Sequence, residues 1–209
     1  MDINTVEAGK ISIIVRDIIR KYIRHRQLPP IPEYSFLEFN SGIYISLIDV
    51  ITGDTVRHAL SLKPDILLKE AIARASTIIA GHGGKFPVIK WRNIKKFTMV
   101  FILLHDMLEI EFMGKTPLID NECGICITSQ DNEVLSILMP ELRKVRDRKS
   151  IMKMAGISEE GNERIYTFHA EGYRETSPGK VTKIIPGEIR VIHHPQGLFN
   201  KGPIANISD

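Results

Sequence analysis

A strand without a polar face is the strongest constraint on this chain. In GIYISLIDVI, residues 42–51, Ile43, Ile45 and Leu47 point to one side of an extended backbone, and Tyr44, Ser46 and Ile48 to the other. Both sides are largely apolar, so the strand belongs inside a sheet that is covered on both faces. Thr52-Gly53-Asp54 then supplies a turn. The segment after it carries Arg57 and His58 towards a helix that opens near Pro64. Any architecture must therefore give this strand neighbours, and amphipathic elements to cover it.

The chain supplies both. Over residues 11–26, Val15, Ile18, Ile19, Tyr22 and Ile23 recur at helical spacing, and Arg16, Asp17, Arg20, Lys21 and Arg24 take much of the remaining surface. Pro29, Pro30 and Pro32 stop that helix. A second helix reads over 65–80, with Asp65 in its first turn, a stripe of Leu67, Leu68, Ala71, Ile72, Ala75 and Ile79, and Gly81 as its stop. Phe97–Leu104 is the most apolar stretch and reads as a central strand. His105-Asp106 follows, and adjacent residues rarely face each other, so the pair reads as a turn rather than a hydrogen-bonded couple. Strand character resumes where Leu108, Ile110 and Phe112 alternate with Glu109 and Glu111.

Gly124–Thr128 and Glu133–Met139 read as a hairpin around residues 129–132. A charged helix anchored by Ile151, Met152 and Ala155 stops at Gly156, and Arg164–Tyr173 is the last strong strand. Composition shifts at Thr176. Beyond it, KVTKII and EIRVIHH alternate weakly and read as a peripheral hairpin, either a dimer arm or a cap on a sheet edge.

The 209 residues are 43% apolar and 25% charged, so a core forms without disulfides or a structural metal. The net charge of +3 permits an anionic partner without demanding one. No stretch approaches the roughly 18 apolar residues of a membrane helix. MDINTVEAGK lacks the pattern of a signal peptide, so no membrane association and a cytoplasmic location are expected.

Several segments together resemble the AMMECR-one domain family. They are Val15-Arg16 in the first helix, the strand Gly42-Ile43-Tyr44-Ile45-Ser46-Leu47, the helix over 65–80, Phe86-Pro87 and the strand Thr98–Leu104. Further on are Gly124-Ile125-Cys126-Ile127, Ile137-Leu138-Met139-Pro140, Lys153-Met154-Ala155-Gly156-Ile157, Tyr166-Thr167-Phe168 and Glu175. Their order is kept over about residues 11–175. The resemblance implies an α+β fold, a mixed or antiparallel sheet flanked by helices, in two lobes with a groove between them. Residues 1–175 would form that unit, and residues 176–209 a hairpin and irregular extension. The chain departs from the family where L-R-G-C-I-G is expected: Val56-Arg57-His58-Ala59-Leu60-Ser61 keeps the arginine and loses both glycines and the cysteine.

Three groups of residues carry candidate chemistry. Arg57, with Tyr44, Ser46 and Ser61, reads as a recognition site for an anionic ligand, and His58 as its acid/base if the protein is an enzyme. Lys90, Trp91 and Arg92 offer a base-stacking, phosphate-binding segment for RNA. Cys123 and Cys126 have C-x-x-C spacing, but in a strand their side chains face opposite sides, so they read as structural cysteines. No metal set and no nucleotide loop is present, and no cofactor is expected. The reading is a binding or accessory module for an anionic ligand, a peptide or RNA, with a protein or RNA partner. The alternative is an enzyme in a nucleic-acid or metabolite modification pathway.

Overall fold

The computed structural model describes residues 3–81, 89–110, 123–131, 133–139, 147–158 and 163–186. Among the described residues the fold is α+β, with an antiparallel sheet and three α-helices. The chain forms two compact units, residues 1–103 with 172–184 and residues 104–171 with 185–209.

The first unit opens with helix α1, Thr5–His25. It starts six residues before the apolar periodicity does, because Asn4 and Glu7 form a capping box. Asn4 Oδ1 accepts from the Val6 and Glu7 amides at 3.0 Å, and the Asn4 amide donates to Glu7 Oε2 at 3.0 Å. Strands β1 (Ser41–Asp49) and β2 (Thr55–Ser61) follow as an antiparallel pair. The segment after the turn is thus a full strand, not an approach to a helix.

Helix α2 spans Leu68–Ala80 and begins later than expected. Asp65 adopts a positive φ of 61°, and Leu67 forms an isolated bridge with Asn40. Asp65 therefore turns the chain instead of sitting in the helix's first turn. A 3₁₀ helix, Trp91–Lys96, leads into β3, Phe97–Glu109, whose first seven residues belong to this unit.

The hydrogen-bonded order here is β2-β1-β3-β6, with β7 on β6. Ile43, Ile45, Leu47 and Ala59 pack with Ile11, Val15 and Ile18 of α1, Ala71, Ile72 and Ala75 of α2, and Met99 and Phe101 of β3. Tyr44, Leu60, Val100 and Ile102 on the opposite side are buried too. The strand with two apolar faces is covered on both.

Strand β6, Arg164–Ser177, runs unbroken across Thr176. It turns at Gly179, with φ 80°, and pairs with β7, Lys180–Ile184. KVTKI pairs back on β6; EIRVIHH lies outside the described residues. Glu175 of β6 is the centre of a buried clamp. Ser12 Oγ donates to its Oε1 at 2.6 Å, and Arg16 Nε at 2.8 Å. Arg16 also pairs with Oε2, and donates to the carbonyls of Ile94 at 2.9 Å and Phe97 at 2.6 Å.

The second unit holds the rest of β3 and β6, with β4 (Cys123–Thr128), β5 (Val134–Leu138) and helix α3 (Arg148–Ala155). Its strand order is β3-β6-β4-β5. The β4–β5 hairpin and the Gly156 stop fall where the sequence places them. Ile151, Met152 and Ala155 pack on Ile125, Ile127, Leu138 and Ile165. Strand β3 does not end at Leu104: it passes through His105 and Asp106, and Asp106 takes a positive φ of 54°. Beyond it the alternation fails, since Leu108 is exposed. Among the described residues, no helix is long and apolar enough to cross a membrane.

The β6–β7 turn lies directly on α1. A Cβ on Gly9 would stand 2.3 Å from the Gly179 carbonyl oxygen, which is backbone and cannot rotate away. In an ordinary helix interior Gly→Ala stabilises by about 1 kcal/mol. Gly9→Ala is expected to reverse that sign and destabilise by about 2 kcal/mol, as overpacking does. Urea unfolding of the two proteins measures it, and an unchanged or raised midpoint would contradict the contact.

Candidate functional site

The side chains expected to share a pocket divide between the two faces of the β1–β2 ladder. Residues directly opposite each other in a ladder share a face. Ser46 pairs with His58, Leu47 with Arg57, and Ile43 with Ser61. Tyr44, Ser46 and His58 therefore face one way, and Arg57 and Ser61 the other, with the helices.

Arg57 is buried, and its Nη1 donates to the carbonyls of Ile79 at 2.7 Å and Gly81 at 2.6 Å. These carbonyls belong to the last turn of α2 and to the residue that follows it, where a helix leaves acceptors unsatisfied and its dipole favours a cation. Arg57 thus caps a helix here. On the other face, the Tyr44 and His58 rings lie 6.0 Å apart at 32°. Burial pushes the Tyr44 hydroxyl up to about 12 and moves His58 below its ordinary value of 6.5. Ser46 Oγ is 3.4 Å from Thr55 Oγ1.

The basic segment keeps Lys90, Arg92, Lys95 and Lys96 exposed around the 3₁₀ helix; the Trp91 side chain lies outside the described residues. The basic face of α1 is less available than its sequence suggests. Arg16 is held by Glu175, and Arg20 and Lys21 pair with Asp17 at 2.7 and 2.8 Å.

The second unit contains a cluster that the sequence does not announce. His105 is buried, and its Nδ1–H donates to Asp106 Oδ2 at 2.9 Å. The pair expected to form only a turn is hydrogen-bonded, because the left-handed Asp106 brings its carboxylate back onto the preceding ring. That hydrogen bond holds the Asp106 carboxyl below its usual range. His105 Nε2 lies 3.9 Å from Glu171 Oε1. The His105 ring stacks on His169, with centroids 5.7 Å apart at 20°. His169 Nδ1 is 4.0 Å from Cys123 Sγ, and Cys123 is the ladder partner of His169.

The sequence reading does not single out His169 or Glu171. The available signal was two titratable side chains two apart on one strand, which must share a face. Among the described residues, no three His, Cys, Asp or Glu side chains are arranged to hold a metal ion. The cluster can orient an imidazole, hold a proton between ring and carboxylate, and accept hydrogen bonds.

Two outcomes follow from the β1–β2 geometry. Arg57→Met is expected to lower stability by about 2 kcal/mol, from the loss of charge-assisted bonds to the α2 carbonyls. A change within 0.5 kcal/mol by denaturant titration would contradict that cap. His58 has a folded-state pKa below its unfolded one, so the unfolded chain binds the proton more readily. Its contribution to stability is present above pH 6.5 and lost as pH falls through the folded value. Unfolding free energies from pH 7.5 to 5 should fall less steeply in His58→Gln than in the parent protein, and identical slopes would contradict it.

No family model matches the chain, and no curated protein matches it. Among solved structures it is similar to the crystal structure of the uncharacterized protein PH0010 from Pyrococcus horikoshii. The TM-score is 0.61 at 16% identity, covering 86% of this chain and 97% of that one. At that identity the likeness is one of fold, and it carries the α+β architecture.

Proposed function

We propose that this chain is a binding or accessory module similar to the AMMECR-one family, and that it recognises a basic peptide through Asp106, whose carboxylate His105 holds. The family reading is supported by the α+β fold and by the positions of the quoted segments, with Gly42–Leu47 in β1 and Gly124–Ile127 in β4. The replaced motif lies in β2, where Ala59 is buried in the core, so no cysteine chemistry belongs there.

The observation that carries the recognition site is Asp106. A non-glycine residue at φ 54° within a strand costs on the order of 1 kcal/mol, and such strain gathers at functional sites. Here it sets a carboxylate, exposed over 62% of its side chain, against a buried imidazole. The anionic-ligand reading loses the guanidinium on which it rested, because Arg57 serves α2. The exposed Asp106 carboxylate favours a ligand that donates hydrogen bonds from a cationic group.

Fluorescence anisotropy with labelled lysine-rich and glutamate-rich peptides of equal length tests this. The lysine-rich peptide should bind more tightly despite the protein's net charge of +3. Asp106→Asn should weaken it about tenfold, the loss of one charge-assisted contact. Preference for the acidic peptide, or unchanged binding in both Asp106→Asn and His105→Gln, would overturn the reading.

A further inference from the structure

The two cysteines differ in chemistry. Cys126 is buried, and burial pushes its thiol far above the ordinary value, where it is inert. Cys123, three residues earlier on β4, points to the other side and is half-buried. Its sulfur faces an imidazole nitrogen at 4.0 Å, and the β4–β6 ladder, which pairs Cys123 with His169, sets that approach through the backbone. The His169 ring lies against His105, which Asp106 holds by its Nδ1. A nucleophilic thiol needs a base within reach and a further group that orients the base, and this chain of contacts supplies both. The acidic groups facing the cluster, Asp106 and Glu171, flank the two nitrogens of His105, and His169 is the group next to the sulfur.

We propose that Cys123 is a nucleophilic thiol with His169 as its base, forming a site for a soft electrophile, specifically a small disulfide. The Sγ–H proton passes to His169 Nδ1, and the sulfur attacks one sulfur of the incoming disulfide. The disulfide bond breaks, and the departing thiolate takes the proton from His169. The products are a mixed disulfide on Cys123 and one free thiol, so no other oxidant is needed. The neighbouring binding reading involves a different ligand, and thiol labelling needs no peptide, so the two stand or fall separately.

The test uses the full chain, with iodoacetamide as the probe and peptide mass spectrometry to assign the label. A thiol of ordinary acidity is only roughly 3% ionised at pH 7. An imidazole-paired thiolate gains in ionised fraction and loses some intrinsic nucleophilicity, so Cys123 should react about tenfold faster than glutathione. Cys126 should remain unlabelled in the folded protein. His169→Gln and His169→Asn should each return Cys123 to the rate of glutathione. Oxidised glutathione should form its mixed disulfide at Cys123. The pH–rate profile of the parent protein provides a test without variants: labelling should persist at pH 6, where an ordinary thiol has almost stopped reacting. A rate no faster than glutathione, or a profile that tracks the ionisation of an ordinary thiol, would overturn the proposal. Unchanged labelling in both His169 variants would also overturn it.

Discussion

One buried carboxylate ties together parts of the first unit that are distant in sequence. Glu175 receives Ser12 and Arg16 from α1, and Arg16 extends the same clamp to the carbonyls of Ile94 and Phe97. The Glu175 side chain is 1% exposed, so the pair has little water around it. Removing one partner of such a pair typically costs about 3–5 kcal/mol, because the other charge is left buried. The hydroxyl of Thr98 donates to the Glu175 carbonyl, a second tie between β3 and the clamp. The apolar stripe of α1 supplies most of the burial, and the clamp fixes where along the sheet the stripe lies.

Periodicity made the apolar layers legible. The stripe of α1, the two-sided burial of β1 and the anchors of α3 could be read from residue spacing alone, because hydrophobic burial is periodic and non-directional. Polar geometry was harder to read. The N-terminal turn of α1 depends on a reciprocal bond between Asn4 and Glu7, and the onset of α2 on the bridge from Asn40 to Leu67. Neither leaves an apolar pattern.

The sites show the same division. Arg57 and His58 are neighbours in sequence, and adjacent strand residues point to opposite faces, so their separation follows from β2 being a strand. His105 and Asp106 show the converse. They should have been kept apart by strand geometry, and a single positive φ at Asp106 brings them together. A backbone exception of that kind has no signature in residue type, since aspartate occurs freely in ordinary conformations. His169, Glu171 and Cys123 come from two strands, and only the β4–β6 register places the thiol beside the imidazole.

The first unit is discontinuous in the chain, and this bears on its synthesis. Arg16 and Glu175 are separated by 159 positions, and Tyr173, whose hydroxyl donates to the Ile3 carbonyl, is separated from Ile3 by 170. During translation α1 leaves the ribosome long before the strand that completes its packing is made. Its apolar stripe must wait through the synthesis of residues 104–171, in the company of β1, β2, α2 and the first residues of β3. Contacts this distant in sequence form slowly, and a chain waiting for them keeps apolar surface open to wrong partners. The nascent protein is thus most vulnerable to aggregation before β6 is made, the strand whose Tyr173 and Glu175 complete the packing of α1.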